Sequence, residues 1–392
     1  MSRILLAWEL GANYGHVGAL RAYAHVLRDA GHDCLFAVRD LGSAQVLGLH
    51  ELGPVLPAPF APGTRRAVAV QTSYATLLHN TGFDDSAALA SRLRAWQTLY
   101  QTLSIDAVAL NYAPTATLAA RQLRLPRSTF GASFGQPPLQ QPFPWFQPSR
   151  PVNHDALIRN EARVLATVND ALARLSWSPL ASLQALFDDC PQCILSFAEL
   201  DTYGPGRETL CLGHPDYSHG DAPIWPDGQG SRLFAYLRPG PWLQLLLEVL
   251  RELPITALLR VADVSPSAVR AYLRPGLAIA TGAIDLHRAL QECDIAIHAG
   301  QDGTSSETLL AGKPAMLLPT DVEKALIARR ILQLGAGVMP VARKAADLRT
   351  GLTQLLDNPA LRRNAEAFAN RYRMFDRAQV MPRAAQQLLR QL

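Results

Sequence analysis

The sequence predicts an α/β fold made of two doubly wound domains that face each other across a central cleft. Short apolar runs alternate with amphipathic segments of helical period through both halves of the chain, a pattern typical of strands and helices around parallel sheets. A Gly-, Pro-, Asp- and His-rich stretch at 214–231 separates the two halves. The 392 residues also exceed a single ordinary core, since one domain takes roughly 150 residues.

The first domain begins with a βαβ unit. The apolar run at 4–8 is too short for a helix and indicates a buried parallel strand. A Gly-bearing loop leads into a segment in which Val17, Leu20 and Ala24 recur at helical spacing, and 34–38 forms the next strand. Later elements are predicted by the same patterns, namely helices at 86–104, 114–124, 153–175 and 180–188, and strands at 107–110, 128–130 and 193–197.

The alternation resumes in the second half of the chain. It predicts strands at 232–237, 255–260, 277–280, 294–298 and 314–318, helices at 241–252, 285–291, 304–311 and 321–334, and a helical tail at 359–392. We expect an N-terminal domain at 1–217, a C-terminal domain at 231–371, and a last helix within 372–392 that packs back on the N-terminal domain. Open α/β sheets bind ligands at the carboxyl ends of their strands, so we expect the functional site there.

The composition argues against several classes of protein. The net charge is +4, from 37 basic and 33 acidic side chains without a run of five like charges, so no nucleic-acid partner is predicted. No stretch of about 18 apolar residues occurs and no signal peptide is evident, so we expect a cytoplasmic protein with at most peripheral membrane contact. The single C-x-x-C, at Cys190 and Cys193, lacks the second ligand pair of a zinc site, so no metal is expected.

The segment HAGQDGTSSE carries the strongest chemical signal, because it follows a predicted strand and opens a predicted helix. Gly300 and Gly303 allow close approach of the backbone, and Thr304 and Ser305 place hydroxyls in the first turn. The amides and partial positive charge of a helix N-terminus suit a diphosphate, and Glu307 lies one turn further on, where it can accept the hydroxyls of a ribose. A plain capping box of Thr304 with Glu307 is the alternative.

A longer segment, DIAIHAGQDGTSSETLLAGKPAMLLPTDVEKALIARRILQLGAG at 294–337, resembles the donor-binding signature of the family 1 glycosyltransferases. These UDP-glycosyltransferase-like enzymes include macrolide glycosyltransferases and bacterial rhamnosyltransferases. YGHVGALRAYAHVLRDAGHDCLFAV and NYAPTATLAARQLRLPRSTFG resemble N-terminal motifs of the same family, in the same order. The resemblance implies the GT-B fold and the inverting transfer of a sugar from a nucleoside-diphosphate sugar to a hydroxyl of a small or lipidic acceptor.

The same resemblance assigns roles to individual residues. Gly303 and Thr304 would hold the diphosphate, Glu307 the ribose, and His16 would be the base that deprotonates the acceptor. An imidazole with a pKa near 6.5 can do this at neutral pH. The chain has no Asp-x-Asp, so we expect a helix N-terminus rather than a metal to stabilise the leaving diphosphate. No cofactor is expected, and the donor substrate would be a UDP- or dTDP-sugar.

The sequence departs from the family pattern at the partner of the catalytic base and at the phosphate-contacting histidine. The carboxylate partner of the histidine becomes Asn111, which can orient an imidazole but cannot balance imidazolium charge. Glu9 is a candidate substitute or rival base, and an ordinary strand-end carboxylate is its alternative interpretation. His298 precedes by one residue the position of the phosphate-contacting histidine, which is Ala299 here. On a strand this turns His298 to the opposite face, where a core histidine is the alternative.

On the donor side, the second glycine of the signature is Gln301 and the aromatic that stacks on the base falls near Ala283. The backbone of Ile284 could still form hydrogen bonds with the nucleobase. The sugar-contacting Asp-Gln pair becomes Glu323 and Lys324. Lys324 indicates either an altered or acidic sugar or a solvated helix start.

Three functions follow from these observations. The first is the inverting, metal-independent transferase. The second is a nucleotide-sugar isomerase or hydrolase of the same fold, which would release free sugar or an epimer without an acceptor. The third is a nucleotide-binding subunit without catalysis, which would bind nucleotide tightly and turn nothing over.

Overall fold

A computed structural model describes residues 1–12, 14–64, 66–147, 150–204, 206–216, 220–262, 264, 267, 270–280 and 282–392. The chain divides into two units. The first comprises Met1–Ser196, Gly206–Tyr217 and Arg377–Leu392, and the second comprises Phe197–Pro205 and Ser218–Asp376. The last residues of the chain therefore belong to the first unit.

The first unit is built on a parallel sheet. Its described strands are β1 (Arg3–Trp8), β2 (Asp33–Val38), β3 (Val55–Pro57), β4 (Ala107–Asn111), β5 (Arg127–Gly131), β6 (Gln192–Ile194) and β7 (Leu210–Cys211). Their order is β3-β2-β1-β4-β5-β6-β7, and Trp8 of β1 pairs with Asn111 of β4. From β1 the successive strands β2 and β3 are added on one side of the sheet, and from β4 the strands β5, β6 and β7 are added on the other side. The gap between the carboxyl ends of these two strands is the switch point at which such sheets bind ligands.

Helices flank this sheet. They are α1 (Tyr14–Asp29), α2 (Leu41–Val46), α3 (Tyr74–Asn80), α4 (Ser86–Thr102), α5 (Pro114–Gln122) and α6 (His154–Ala173). The predicted helix at 180–188 is wrong apart from one 3-10 turn at Gln184–Phe187. The side chain of Asn169 bonds both the amide and the carbonyl of Leu180, at 2.8 and 3.0 Å, so Leu180 does not enter a helical ladder.

The strand predicted at 193–197 ends earlier, at Ile194. Phe197 leaves the sheet because its ring packs in the core of the second unit, with its centroid 5.3 Å from that of Phe368. An apolar run in the sequence does not show whether its last residues continue the strand of the first unit or pack in the core of the second.

The second unit repeats the architecture. Its described strands are β8 (Arg232–Leu237), β9 (Thr256–Val261), β10 (Leu277–Ala280), β11 (Ile295–His298), β12 (Ala315–Leu317) and β13 (Gly337–Val338). Their order is β10-β9-β8-β11-β12-β13, all parallel, and His298 of β11 pairs with Tyr236 of β8. The switch point of this sheet therefore lies beyond the carboxyl ends of β8 and β11. The predicted fold class, two doubly wound α/β sheets, is confirmed.

Both faces of the second sheet are covered. The helices are α7 (Leu243–Glu252), α8 (Leu286–Glu292), α9 (Asp302–Leu310), α10 (Val322–Gln333), α11 (Ala345–Asp357) and α12 (Pro359–Arg371). Ile295 and Ile297 share one core cluster with residues of α7 and α11, whereas Ala296 shares the other with residues of α8, α9, α10 and α12. This alternation is the period-2 pattern of a strand buried on both faces.

The final helix, α13 (Val380–Leu389), packs in the first unit against α1. The Tyr23 hydroxyl donates to the Ala384 carbonyl at 3.2 Å, and Leu388 is fully buried. No helix within the described part of the chain is long and apolar enough to cross a membrane.

We expect Leu388→Ala to lower the free energy of unfolding of the first unit by about 2–5 kcal/mol, because a fully buried side chain is lost and a cavity remains. Urea denaturation measures this. Leu392→Ala is the matched control, since Leu392 is 49% exposed and its loss should change the midpoint little. Equal effects of the two substitutions would show that α13 does not pack as described.

Candidate functional site

At the switch point of the first sheet, His16 meets Asn111. His16 is the third residue of α1, and its Nδ1 lies 2.7 Å from Oδ1 of Asn111, the last residue of β4. The buried Asn111 amide nitrogen donates to the Phe130 carbonyl at 3.0 Å. The orientation of the amide is thereby set, and Oδ1 can only accept a hydrogen bond from His16. The neutral ring therefore carries its proton on Nδ1 and its lone pair on Nε2.

The His16 ring is held from two further directions. Trp8 stacks on it, with ring centroids 5.2 Å apart and planes 17° from parallel, and the Trp8 indole donates to the Leu10 carbonyl at 2.6 Å. Gly11 has φ +86°, and a Cβ at this position would lie 2.3 Å from Nε2 of His16. Gly11 is thus required both for its backbone conformation and for the space it leaves the imidazole.

The surroundings keep His16 neutral. Burial lowers the pKa of His16 below 6.5, and the nearby positive charge of Arg39 adds to the effect, although the hydrogen bond to Asn111 opposes it. Arg39 follows β2 and lies beside the end of β1, where its Nη1 is 3.5 Å from the Glu9 carbonyl oxygen. The ring is therefore available as a base at neutral pH.

The carboxylate of Glu9 faces α5. It accepts from the amides of Thr115 and Ala116, at 3.1 and 2.6 Å, in the first turn of that helix. Burial raises the pKa of Glu9 to about 7, against the lowering effect of these two bonds. The carboxylate thus links the end of β1 to the start of α5.

In the second unit, the loop after β11 turns into α9 at Gly300. Gly300 has φ +90°, and a Cβ there would lie 2.7 Å from the Lys324 carbonyl oxygen, so the loop packs directly on the start of α10. Gln301 precedes α9, and the Ser305 amide is the first to enter the helical ladder, through the Gln301 carbonyl at 2.8 Å. The three helical amides before it, from Asp302 to Thr304, lie at the N-terminus, where helical amides lack intrahelical acceptors.

Because α9 begins at Asp302, Thr304 is its third residue and does not cap it. The capping-box alternative is therefore wrong. Thr304, Ser305 and Glu307 are all buried, and their side chains belong to the first two turns of the helix.

Three buried polar atoms around this helix start have no hydrogen-bond partner among the described residues. They are Nε2 of His298, Oε1 of Gln301 and Oγ of Ser305. The Gly300 amide donates to Nδ1 of His298 at 3.1 Å, and burial lowers the pKa of His298 to about 3, so the ring is neutral with its proton on Nε2. A buried polar atom without a partner costs about 1–3 kcal/mol, so the start of α9 is a candidate site for a ligand.

The ribose candidate Glu307 contacts a residue that the sequence analysis did not single out. Its Oε2 lies 3.4 Å from Nδ1 of His287 in the first turn of α8, and the two side chains are 8% and 47% exposed respectively. Helices α8 and α9 both begin after strands of the same parallel sheet. Their first turns therefore share one edge, and this was the signal that could have identified His287.

The backbone at Ile284 is oriented by Asp221. The Asp221 amide donates to the Ala283 carbonyl at 3.0 Å, and the Asp285 amide donates to the Asp221 carbonyl at 2.8 Å. In a parallel pairing of this kind the amide and carbonyl of the central residue point to the other side. The polar groups of Ile284 are therefore directed away from Asp221.

Glu323 and Lys324 lie in the first turn of α10. Asp321 caps the helix by accepting from the Lys324 amide at 3.0 Å, and it also pairs with the Lys324 ammonium. Burial raises the pKa of Glu323 to about 7, and the negative charges of Asp321 and Asp302 contribute. Asp302 also lies 3.4 Å from the Ser306 hydroxyl. Within the part of the chain that the structure describes, no group of three or more His, Cys, Asp or Glu side chains is arranged to hold a metal ion.

Part of the C-terminal half of the chain matches a known family model. Residues 259–381 fit the model described as erythromycin biosynthesis protein CIII-like, C-terminal domain. No curated protein sequence matches the chain.

Solved structures match the whole chain. The spinosyn rhamnosyltransferase SpnG has a TM-score of 0.67 at 16% identity, covering 98% of this chain and 99% of its own. The glycosyltransferase VinC, solved with dTDP, has a TM-score of 0.67 at 14% identity over 99% and 100%. SnogD from Streptomyces nogalater has a TM-score of 0.63 at 18% identity over 100% and 99%. The fold is therefore GT-B, as the resemblance in the sequence implied.

The buried His298 should make stability depend on pH. Between about pH 3 and pH 6.5 the unfolded chain binds a proton on this residue and the folded chain does not. The contribution of His298 to the free energy of unfolding is therefore fully present above pH 6.5. As the pH falls below 6.5, the free energy of unfolding decreases by up to about 1.4 kcal/mol per pH unit. We expect His298→Asn to flatten the pH dependence of the urea midpoint, whereas His25→Asn, at an exposed histidine, leaves it unchanged. Parallel curves for wild type and His298→Asn would contradict the assignment.

Proposed function

We propose that this protein is a glycosyltransferase that moves a sugar from a nucleoside-diphosphate sugar to a hydroxyl of a small acceptor. The donor binds the second unit and the acceptor binds the first. One observation carries the proposal, namely the buried polar atoms at the start of α9 that have no hydrogen-bond partner among the described residues. That cluster lies within the segment that matches the erythromycin CIII-like family.

The donor fits the switch point of the second sheet part by part. The diphosphate lies at the amides of Gly303 and Thr304, with the Ser305 hydroxyl beside them. Glu307 accepts a hydrogen bond from a hydroxyl of the pentose, and the backbone of Ile284 faces the nucleobase. VinC was solved with dTDP and SpnG with thymidine diphosphate, which favours a dTDP-sugar over a UDP-sugar here.

The proposed chemistry at the first switch point is general-base catalysis by His16. Nε2 removes the proton of the acceptor hydroxyl while its oxygen attacks the anomeric carbon. The bond between that carbon and the phosphate oxygen breaks on the opposite side, which inverts the configuration. The diphosphate leaves with its negative charge stabilised by the N-terminus of α9, without a metal. Asn111 positions the ring, and Glu9 stabilises the scaffold beneath it. The family model and the solved neighbours do not favour the isomerase, hydrolase or inactive-subunit alternatives.

Nucleotide binding tests the donor site. At a hundredfold excess over Kd, dTDP should stabilise the wild-type protein by about 2.7 kcal/mol in a thermal-shift assay. We expect Glu307→Gln and Ser305→Ala to lose most of this stabilisation, because the first removes the negative charge that accepts from the pentose hydroxyl and the second removes the hydroxyl beside the diphosphate. Ser91→Ala, at an exposed serine of α4, is the control and should retain it. An unchanged shift in both donor-site variants would place the nucleotide elsewhere.

Turnover tests the base. We expect His16→Ala to lower kcat about 10²- to 10⁴-fold and to leave dTDP binding unchanged, because the proton acceptor is lost and the donor site is not. Gly11→Ala should lower kcat as well, since the added Cβ displaces the imidazole. His25→Ala, on the same helix, is the matched control. Release of dTDP from a dTDP-sugar in the presence of an acceptor panel measures these rates, and full activity of His16→Ala would assign the base elsewhere.

A further inference from the structure

Among the residues that the structure describes, His16 has the neutral Asn111 as its hydrogen-bond partner and no carboxylate. Asn111 supplies the correct tautomer, because its amide is locked by the Phe130 carbonyl, so only the charge balance of a carboxylate is missing. The nearby carboxylate of Glu9 is buried and directed at the amides of Thr115 and Ala116. An imidazolium formed at His16 is therefore not neutralised by either group.

A positive charge lies on the same side of the sheet. Arg39 follows β2 next to the end of β1, 3.5 Å from the Glu9 carbonyl, and its guanidinium carbon lies 5.1 Å from the centre of the Phe60 ring. Its charge disfavours an imidazolium at His16. The same charge favours negative charge on an oxygen that approaches His16, since it attracts an anion as it repels a cation.

Aromatic rings border the base. Trp8 stacks on His16, and the ring centroid of the half-buried Tyr112 lies 6.2 Å from that of His16. Trp8 is buried, so of these two rings it is Tyr112 that can pack against another flat ring.

We propose that the acceptor is a phenol rather than an aliphatic alcohol, an inference that rests on the proposed transferase function. A weak base without a carboxylate partner removes the proton of an alcohol poorly, whereas a phenol gives up its proton more readily and its anion is stabilised by the charge of Arg39. In the step, the phenol O–H bond breaks and the proton goes to Nε2 of His16. The phenol oxygen forms the new bond to the anomeric carbon, and the nucleoside diphosphate leaves with the electron pair of the broken bond.

The test compares 2-naphthol with 2-naphthalenemethanol, which share a ring system and differ in the acidity of the hydroxyl. With the full chain and dTDP-glucose or UDP-glucose as donor, we expect kcat/KM to be at least about tenfold higher for the naphthol. Within a series of ring-substituted naphthols, the rate should follow the acidity of the hydroxyl. Equal rates, or a preference for the alcohol, would overturn the inference.

Two variants separate the electrostatic cause from a simple fit of the ring. Asn111→Asp supplies the missing charge and Arg39→Gln removes the opposing one, so each should raise activity on the alcohol relative to the naphthol. Arg94→Gln, at an exposed arginine of α4, is the control and should leave the ratio unchanged. If Asn111→Asp does not fold, Arg39→Gln alone tests the electrostatic argument. An unchanged ratio of alcohol to naphthol activity in Arg39→Gln would overturn that argument. Absence of transfer to both acceptors by a protein that binds dTDP would instead contradict the transferase proposal and the present inference with it.

Discussion

The start of helix α9 is the feature on which the proposed function depends. Strand β11 ends at His298, at the edge of the sheet, and α9 begins four residues later at Asp302. This short connection is possible because Gly300 packs against the Lys324 carbonyl, where a Cβ would not fit. This tight turn buries polar atoms of His298, Gln301 and Ser305 that have no hydrogen-bond partner in the part of the chain that the structure describes. Each such atom costs about 1–3 kcal/mol in a protein whose total stability is typically 5–15 kcal/mol. A bound diphosphate would accept from the Nε2–H of His298 and the hydroxyl of Ser305, the two donors among these groups, which gives the arrangement a physical reason.

The first unit uses the same geometry for a different chemical purpose. Its switch point brings His16 and Asn111 together although they are 95 residues apart in sequence. Gly131 has φ +135°, and a Cβ there would come within 2.9 Å of the Asn111 amide nitrogen, so the strand next to β4 also leaves room for this side chain. The contact fixes which nitrogen of His16 is basic but leaves its positive form without a counter-charge. Because the protonated form of His16 is not stabilised by a counter-charge, we expect an acceptor whose hydroxyl is acidic.

Much of the fold could be predicted from the sequence, because strands such as β1 and β11 are apolar runs and α1 and α10 carry a clear helical period. Short elements such as α2, α3 and β3 were missed, since six, seven or three residues are too few to establish a period. In the candidate site, the positions of His16 and Asn111 followed from the resemblance. The contact between His287 and Glu307 was not predicted, although the expectation that α8 and α9 begin at the same edge of the sheet could have identified it.

A crystal structure of the protein with dTDP would test the central claim most directly. We expect the diphosphate oxygens within hydrogen-bond distance of the Gly303 and Thr304 amides, Oγ of Ser305 with a partner, and the pentose hydroxyl at Glu307. Nucleotide bound away from α9, with the polar atoms of His298 and Ser305 still unpartnered, would contradict the account. The architecture of the two sheets would stand, and the assignment of the donor site would not.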